Sequence, residues 1–236
     1  MKTIFSLIPV LLALLLAGCG EYDNFEPPKS TLTGTVVYNG QPVGVRSGTV
    51  RLELRQPGKD YPIWKATKID VHVAQDGTFS AVLFDGSYKL TRVRGNGPWA
   101  DQTDTIEVKV SGGATVEVPV EPFFVVKNET FQKNGNTITA SVTLQRGNTS
   151  RDLEQVNLYL SSTTIVDATK SIAPPKEAAN KGEIMAAAIT DLSQPVALTI
   201  DIPDALAGKP YVFARIGVKT RGVEELAYSA PVKIML

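Results

Sequence analysis

The chain has 236 residues, 43% of them hydrophobic and 20% charged, with 24 basic side chains against 24 acidic ones. That length holds one or two domains of about 100–150 residues, each able to bury a core. A formal net charge of zero removes the electrostatic footprint of a nucleic-acid binder. The single cysteine, Cys19, excludes an internal disulfide and any zinc site built from several cysteines, and the single histidine, His72, leaves little for imidazole chemistry.

Met1-Lys2 begins the chain with a positive charge, and Ile4 to Leu16 is apolar except for Ser6 and Pro9. The run is shorter than the ~20 apolar residues that cross a bilayer and has the proportions of a signal-peptide core. Leu16-Ala17-Gly18-Cys19 follows at once and resembles the lipobox of bacterial lipoproteins. The resemblance implies that residues 1–18 are a signal peptide, cleaved before Cys19, whose sulfur is then acylated. An ordinary secretory signal with a coincidental cysteine is the alternative. Several acyl chains on one residue make a stable anchor, whereas one chain binds only marginally.

Residues 19–30 read as a lipidated tether, acidic at Glu21, Asp23 and Glu26 and stiffened by Pro27-Pro28. Acidic residues directly behind the lipidated cysteine resemble the surface-export signal of Bacteroidetes lipoproteins. The resemblance implies a lipid-anchored position in the outer membrane, exposed at the cell surface. A plain solvated linker is the competing account.

From Thr31 onward the hydrophobic period is two, which predicts strands. The first begins at Leu32 and ends before the turn Asn39-Gly40-Gln41-Pro42. Strands are predicted over Thr49–Arg55, Lys68–Ala74, Thr78–Phe84, Tyr88–Val93, Thr105–Val110 and Thr115–Val120, separated by Asp/Gly/Asn turn clusters. Seven short strands at this spacing predict a β-sandwich over residues 31–122. Glu121-Pro122 marks a boundary. A second all-β sandwich is predicted over 123–236, with strands Phe123–Phe131, Thr137–Leu144, Val156–Ser161, Val196–Ile202, Tyr211–Lys219 and Leu226–Ile234. Asn134-Gly135-Asn136 is a hairpin signal. Residues 174–188 read as a long loop holding at most one helical turn around 176–182, with a weak strand signal over 183–190.

Leu32-Thr33-Gly34-Thr35-Val36-Val37-Tyr38-Asn39-Gly40-Gln41-Pro42-Val43, Asp76-Gly77-Thr78-Phe79-Ser80 and Phe84-Asp85-Gly86-Ser87-Tyr88-Lys89-Leu90 resemble carboxypeptidase-regulatory-like, transthyretin-like sandwiches. Asp-Gly supplies a positive-φ turn, and Phe79 and Tyr88 offer inward rings. With Gly95-Asn96-Gly97-Pro98-Trp99, Asp104-Thr105-Ile106 and Val118-Pro119-Val120-Glu121-Pro122 added, the chain resembles the DUF3823 lipoproteins of Bacteroidetes. That resemblance implies a two-module protein accessory to SusC/SusD-type glycan acquisition, and it brings no catalytic residues. Leu206-Ala207-Gly208-Lys209-Pro210-Tyr211-Val212-Phe213-Ala214-Arg215 resembles the approach to strand F of fibronectin type III or immunoglobulin-like domains. There a tyrosine returns a hydroxyl bond to upstream backbone; here the Leu-to-Tyr spacing is one residue short.

Catalytic chemistry finds little footing. His72 alternates with Ile69, Val71 and Val73 and reads as a solvent-facing strand residue. Asp101 with Asp104, or Glu224 with Glu225, would be the carboxylate pairs of a glycosidase, or Asp101 and Asp104 calcium ligands; solvated loop acids explain both pairs more simply. Gly95-x-Gly97 lacks the third glycine and helix of a nucleotide site, so no cofactor is expected. Trp64 and Trp99 lie in Pro/Gly-marked loops beside Tyr61, Asp101 and Gln102. Two readings fit these indoles: rings that stack on sugars, or rings that cap the core edge. Asp104-Thr105-Ile106 resembles an acceptor triplet of Bacteroidetes O-glycosylation, which would place a glycan on Thr105. The expectation is a non-enzymatic lipoprotein that binds saccharide or a SusC/SusD-like partner. A structural or adhesive surface module serving as a spacer or docking platform is the rival.

Overall fold

The computed structural model describes residues 26–57 and 67–236. Its first half is a sandwich of two four-stranded sheets. One sheet is built on β1 (Ser30–Tyr38), flanked on one side by β2 (Gln41–Pro42) and β5 (Thr78–Leu83), and on the other by β8 (Gly113–Pro119) running parallel to it. The other sheet has the order β4 (Lys68–His72), β3 (Arg51–Arg55), β6 (Gly86–Arg92), β7 (Ile106–Val110), all antiparallel. Alternation does the sorting: Leu32, Val36, Phe79 and Val118 face Leu52, Leu54, Tyr88 and Leu90 across one core, while the intervening residues face solvent. Asn39 and Gly40 both take positive φ, the requirement of the tight β1–β2 hairpin. At the next turn Asp76 accepts the Thr78 N–H and hydroxyl, and Gly77 sits at φ 85° against the Val43 carbonyl, where a Cβ would collide.

The second half is another sandwich. β9 (Phe124–Asn134), β10 (Thr137–Arg146) and, later in the chain, β13 (Val196–Asp201) form one sheet in the order β13-β10-β9. β11 (Leu153–Ser161), β12 (Glu183–Met185), β14 (Tyr211–Thr220), β15 (Ala227–Tyr228) and β16 (Val232–Met235) form the other, with β14 at its centre. A bulge shifts the β9–β10 register between Ser141 and Thr143, where Asn128 adopts φ 53° and bonds Thr143 Oγ1. The fold is therefore the all-β pair of sandwiches that the period-two pattern predicts.

Several local expectations change. The strand predicted over Leu226–Ile234 divides into β15 and β16: at Ser229 the hydroxyl replaces the carbonyl as acceptor of the Ile216 N–H, the carbonyl turns to Arg215, and Pro231 cannot donate to a ladder. The segment after Pro174 stays within the expected loop of at most one helical turn, with a turn closed from Ala178 to Pro175 and no helix around 176–182, while the strand signal shrinks to β12, followed by a 3-10 turn over Ala186–Ala188. One helical turn, Asp204–Ala207, lies between the strands predicted over Val196–Ile202 and Tyr211–Lys219, where no element was predicted. Tyr211, whose spacing is one residue short for a tyrosine corner, forms none: its ring meets Phe213 edge-on at 5.7 Å and carries Lys233 Nζ at 3.8 Å. A hydroxyl bond to upstream backbone is made instead by Tyr88, to the Phe84 carbonyl at 2.9 Å.

The two sandwiches meet over a buried interface. Arg215 on β14 points out of its own core and is fully buried. Its Nε donates to Ser229 O (2.8 Å) and its Nη1 to Val166 O (3.0 Å), both in the second sandwich. Its Nη2 donates to Val45 O (3.1 Å) and Gln75 O (2.6 Å) in the first. The guanidinium lies 4.4 Å over the Tyr228 ring. Tyr228 N–H in turn bonds Gly44 O, and any side chain at Gly44 would run into the Tyr228 carbonyl. Arg46 pairs with Glu225, whose own accessibility is 4%. The connecting residues are held from both sides: Ala100 N to Glu121 O, Phe123 N to Pro98 O and Gly147 N to Phe123 O. No free hinge is left. Arg215→Met, which keeps the stem and removes the guanidinium, strands buried carbonyls and is expected to lower stability by about 2–4 kcal/mol. A urea melt measures it, and a loss well under 1 kcal/mol would show that water replaces the guanidinium.

Candidate functional site

Where the interface opens on one side, a cleft of about 350 Å³ lies between the sandwiches, within the size range of small-ligand sites. The first sandwich supplies the loop from β6 to β7. Asn96 pins that loop, accepting the Arg51 N–H at 2.6 Å and donating to Thr49 O at 3.1 Å, while Asp101 accepts the Gly95 N–H at 2.7 Å. Gly97 lies flat on the Trp99 indole, where no Cβ would fit. The second sandwich supplies Ser150 and Arg151 from the β10–β11 loop and Gly222, Val223 and Glu224 from the β14–β15 loop. These loops are braced too: Arg146 donates to Arg151 O, Arg221 N to Asp152 O, and Lys219 Nζ to Val223 O.

The floor is Phe123 and the edge of Trp99; the charged rim is Asp101, Arg151 and Glu224. Exposed charged groups of both signs around an apolar floor suit a ligand that presents hydroxyls or a carboxylate along with an apolar face. A smaller hollow of about 220 Å³ lies by Tyr159, Pro174, Lys181 and Glu183. Burial there pushes the Tyr159 hydroxyl well above its ordinary range, so it stays protonated.

The nominated residues fare differently. Trp99 is 4% exposed and belongs to the first core, so its ring offers the cleft an edge and no open stacking face. Asp101 lines the cleft. Gln102 is half-buried, with its Oε1 buried and unpartnered, and does not line it. Trp64, Tyr61 and Cys19 lie outside the described residues. Thr105 is exposed immediately before β7. Glu224 was named from sequence only as half of an acidic pair, and Arg151, Gly222 and Val223 were not singled out. They are ordinary surface residues by local pattern, and only the approach of the other sandwich makes a cleft wall of them.

In each carboxylate pair one member is committed to an arginine. Asp101 serves Gly95 and Arg94, whereas Asp104 is taken by the buried Arg92, which holds its carboxyl below the usual range despite the opposing effect of burial. The Glu224 side chain is 85% exposed, and Glu225 is buried against Arg46. His72 is exposed on β4, its Nδ1 2.8 Å from Gly48 O. Among the described residues no group of three or more His, Cys, Asp or Glu is placed to hold a metal ion, and no helix is long and apolar enough to cross a membrane.

A family profile described as the N-terminal domain of the protein of unknown function DUF3823 matches residues 30–121. The domain of unknown function DUF3823_C matches residues 124–233. Among solved structures, a DUF3823 family protein from Bacteroides ovatus is 38% identical, with a TM-score of 0.77 over 88% of this chain and 100% of the other. One from Parabacteroides merdae is 31% identical, with a TM-score of 0.76 over 89% and 100%. A third, from Bacteroides uniformis and described provisionally as a carbohydrate binding protein, is 21% identical, with a TM-score of 0.70 over 89% and 100%. Among curated proteins nothing matches.

Burial of Trp99 sets an outcome for its removal. Trp99→Ala is expected to destabilise the first sandwich by about 3–5 kcal/mol, through lost burial and the cavity left behind, and a thermal melt reads the change directly. For Thr105, exposed and preceded by an ion-paired aspartate, the intact masses of native protein and Thr105→Ala are expected to differ by a glycan as well as the side chain. Masses that differ by the side chain alone would remove this modification.

Proposed function

Because the chain belongs to the DUF3823 family, in which both of its domains are matched, we propose that it is a non-enzymatic, lipid-anchored saccharide-binding protein of the outer-membrane surface, accessory to SusC/SusD-type glycan acquisition. The cleft between the sandwiches carries this reading. Its apolar floor matches the C–H face of a sugar ring, and Asp101, Arg151 and Glu224 are placed as hydroxyl or carboxylate partners. The carbohydrate-binding description of the Bacteroides uniformis structure agrees with the same chemistry, at an identity that speaks to fold. Asp104 is bound to Arg92 and Glu225 is buried against Arg46, so one acid of each pair is committed to a structural cation, which favours binding over glycoside hydrolysis. The anchor is Cys19, the only thiol in the chain.

The rival reading, a rigid spacer or docking platform, has an observation of its own in the hinge-free junction around Glu121–Phe123. Calorimetric titration separates the two. With a soluble form beginning at residue 21 and a saccharide found by glycan array, Arg151→Ala and Glu224→Ala are each expected to weaken binding about tenfold, about 1.4 kcal/mol. Both side chains are exposed, so the melting temperature is expected to hold. Absence of binding across the array favours the spacer. Cys19→Ala is expected to release the protein from membranes or leave it unprocessed; a fully processed, membrane-bound variant overturns the anchor.

A further inference from the structure

β1 and β8 lie side by side and parallel, from Thr31↔Gly113 to Val37↔Pro119. The chain therefore enters the first sandwich at the pole holding Ser30 and leaves it at the opposite pole, through Val120 and Pro122, into the second sandwich. A nine-residue strand at ~3.3 Å per residue separates the two poles by about 30 Å.

The pole at Ser30 carries two apolar side chains that the fold leaves uncovered. Val82, opposite Thr31, is 59% exposed, and Phe84, just beyond the end of β5, is 49% exposed. They are held in place. Asp85 accepts bonds from Ser30 Oγ and from Gly112 N–H at 2.9 Å, tying the start of β1 to the turns on either side of it, and the Phe84 carbonyl is fixed by Tyr88. Ten residues lie between Cys19 and Ser30. Even fully extended, a tether of that length keeps the pole within about 40 Å of its attachment.

We propose that this pole of the anchored protein rests on the lipid bilayer, with Val82 and Phe84 in the headgroup–acyl boundary, and that the first sandwich thereby holds the intermodule cleft some 30 Å from the lipid. The occupant follows from the tether. It brings these two side chains back to one surface at millimolar-scale effective concentration, at which a patch too small to capture a free partner is enough. Aromatic and aliphatic side chains presented together are also what the interfacial zone accepts. The proposal rests on acylation of Cys19.

The test uses full-length lipidated protein in vesicles of equal parts phosphatidylethanolamine and phosphatidylglycerol. Acylation consumes the Cys19 thiol, so Phe84→Cys, Val82→Cys and, at the far end of the β9–β10 hairpin, Lys133→Cys each carry one free thiol for an environment-sensitive fluorophore. Labels at 82 and 84 are expected to shift to the blue, to be quenched by headgroup-proximal spin-labelled lipid, and to resist aqueous iodide several-fold better than the label at 133. Acylated protein whose labels at 82 and 84 behave like the one at 133 overturns the seating alone. An intact mass lacking acyl chains overturns anchor and seating together. Protection of residue 84 in the soluble form without vesicles assigns the patch to a second copy of the chain and overturns the lipid as occupant.

Discussion

The guanidinium of Arg215 is shut away from solvent, and among the described residues none of its nitrogens touches a carboxylate. Burial pulls its pKa down to about 10, against the opposing influence of the Tyr228, Asp167 and Asp76 groups, so it remains charged at neutral pH. A buried cation is costly unless hydrogen bonds offset the hydration it loses. Here the partners are backbone carbonyls of Val45 and Gln75 on one side and Val166 and Ser229 on the other. Each carbonyl has a direction as well as a position. A planar, forked donor that must satisfy all of them fixes the relative rotation of two sandwiches, which an apolar contact of the same area would not do.

The rest of the junction conforms to that orientation. Tyr228 provides the face beneath the guanidinium; burial pushes its phenol pKa up to about 12, against the opposing effect of the Ala168 N–H that its hydroxyl accepts. Gly217 is small enough for Tyr159 and Tyr228 to close over β14. Gly44 lets its strand approach the Tyr228 carbonyl directly. Arg46 with Glu225 is a second, partly buried pair at the same seam, and that pairing raises the Arg46 pKa against the effect of burial. β14 is consequently covered on both faces through Ala214–Val218, an unusual state for a strand in a two-sheet sandwich.

Most of the strand pattern was legible in the sequence because strands and turns are written locally. Leu32–Tyr38 alternates, Asn39-Gly40 and Asp76-Gly77 name their own turns, and Phe79 and Tyr88 point inward as their parity demands. The interface was not legible. Arg215 lies within Phe213-Ala214-Arg215-Ile216-Gly217, where parity says only that it leaves its own core, and its partners are carbonyls up to 170 residues away. No residue type announces a free carbonyl. The same limit explains the site. Trp99 and Asp101 stood out by composition and loop context and Glu224 as half of an acidic pair, whereas Arg151 and Gly222 acquire meaning only when the second sandwich is set against the first. An arginine in the midst of the apolar run 212–218 was the one local hint.

A cleft assembled from two rigid bodies behaves differently from one inside a loop or across a hinge. Its walls come from separate sandwiches, so the chemistry of each wall can change without disturbing the core of the other; its width is fixed by Arg215, Gly44 and the bonds around Glu121–Phe123. A ligand entering it has no domain closure to drive and no loop to order beyond the rotamers of Arg151 and Glu224, which lowers the entropic cost of association. The corollary is narrow tolerance. An interface that does not flex cannot widen for a bulkier ligand, so discrimination in this cleft rests on its fixed width and on where Asp101, Arg151 and Glu224 stand on its rim.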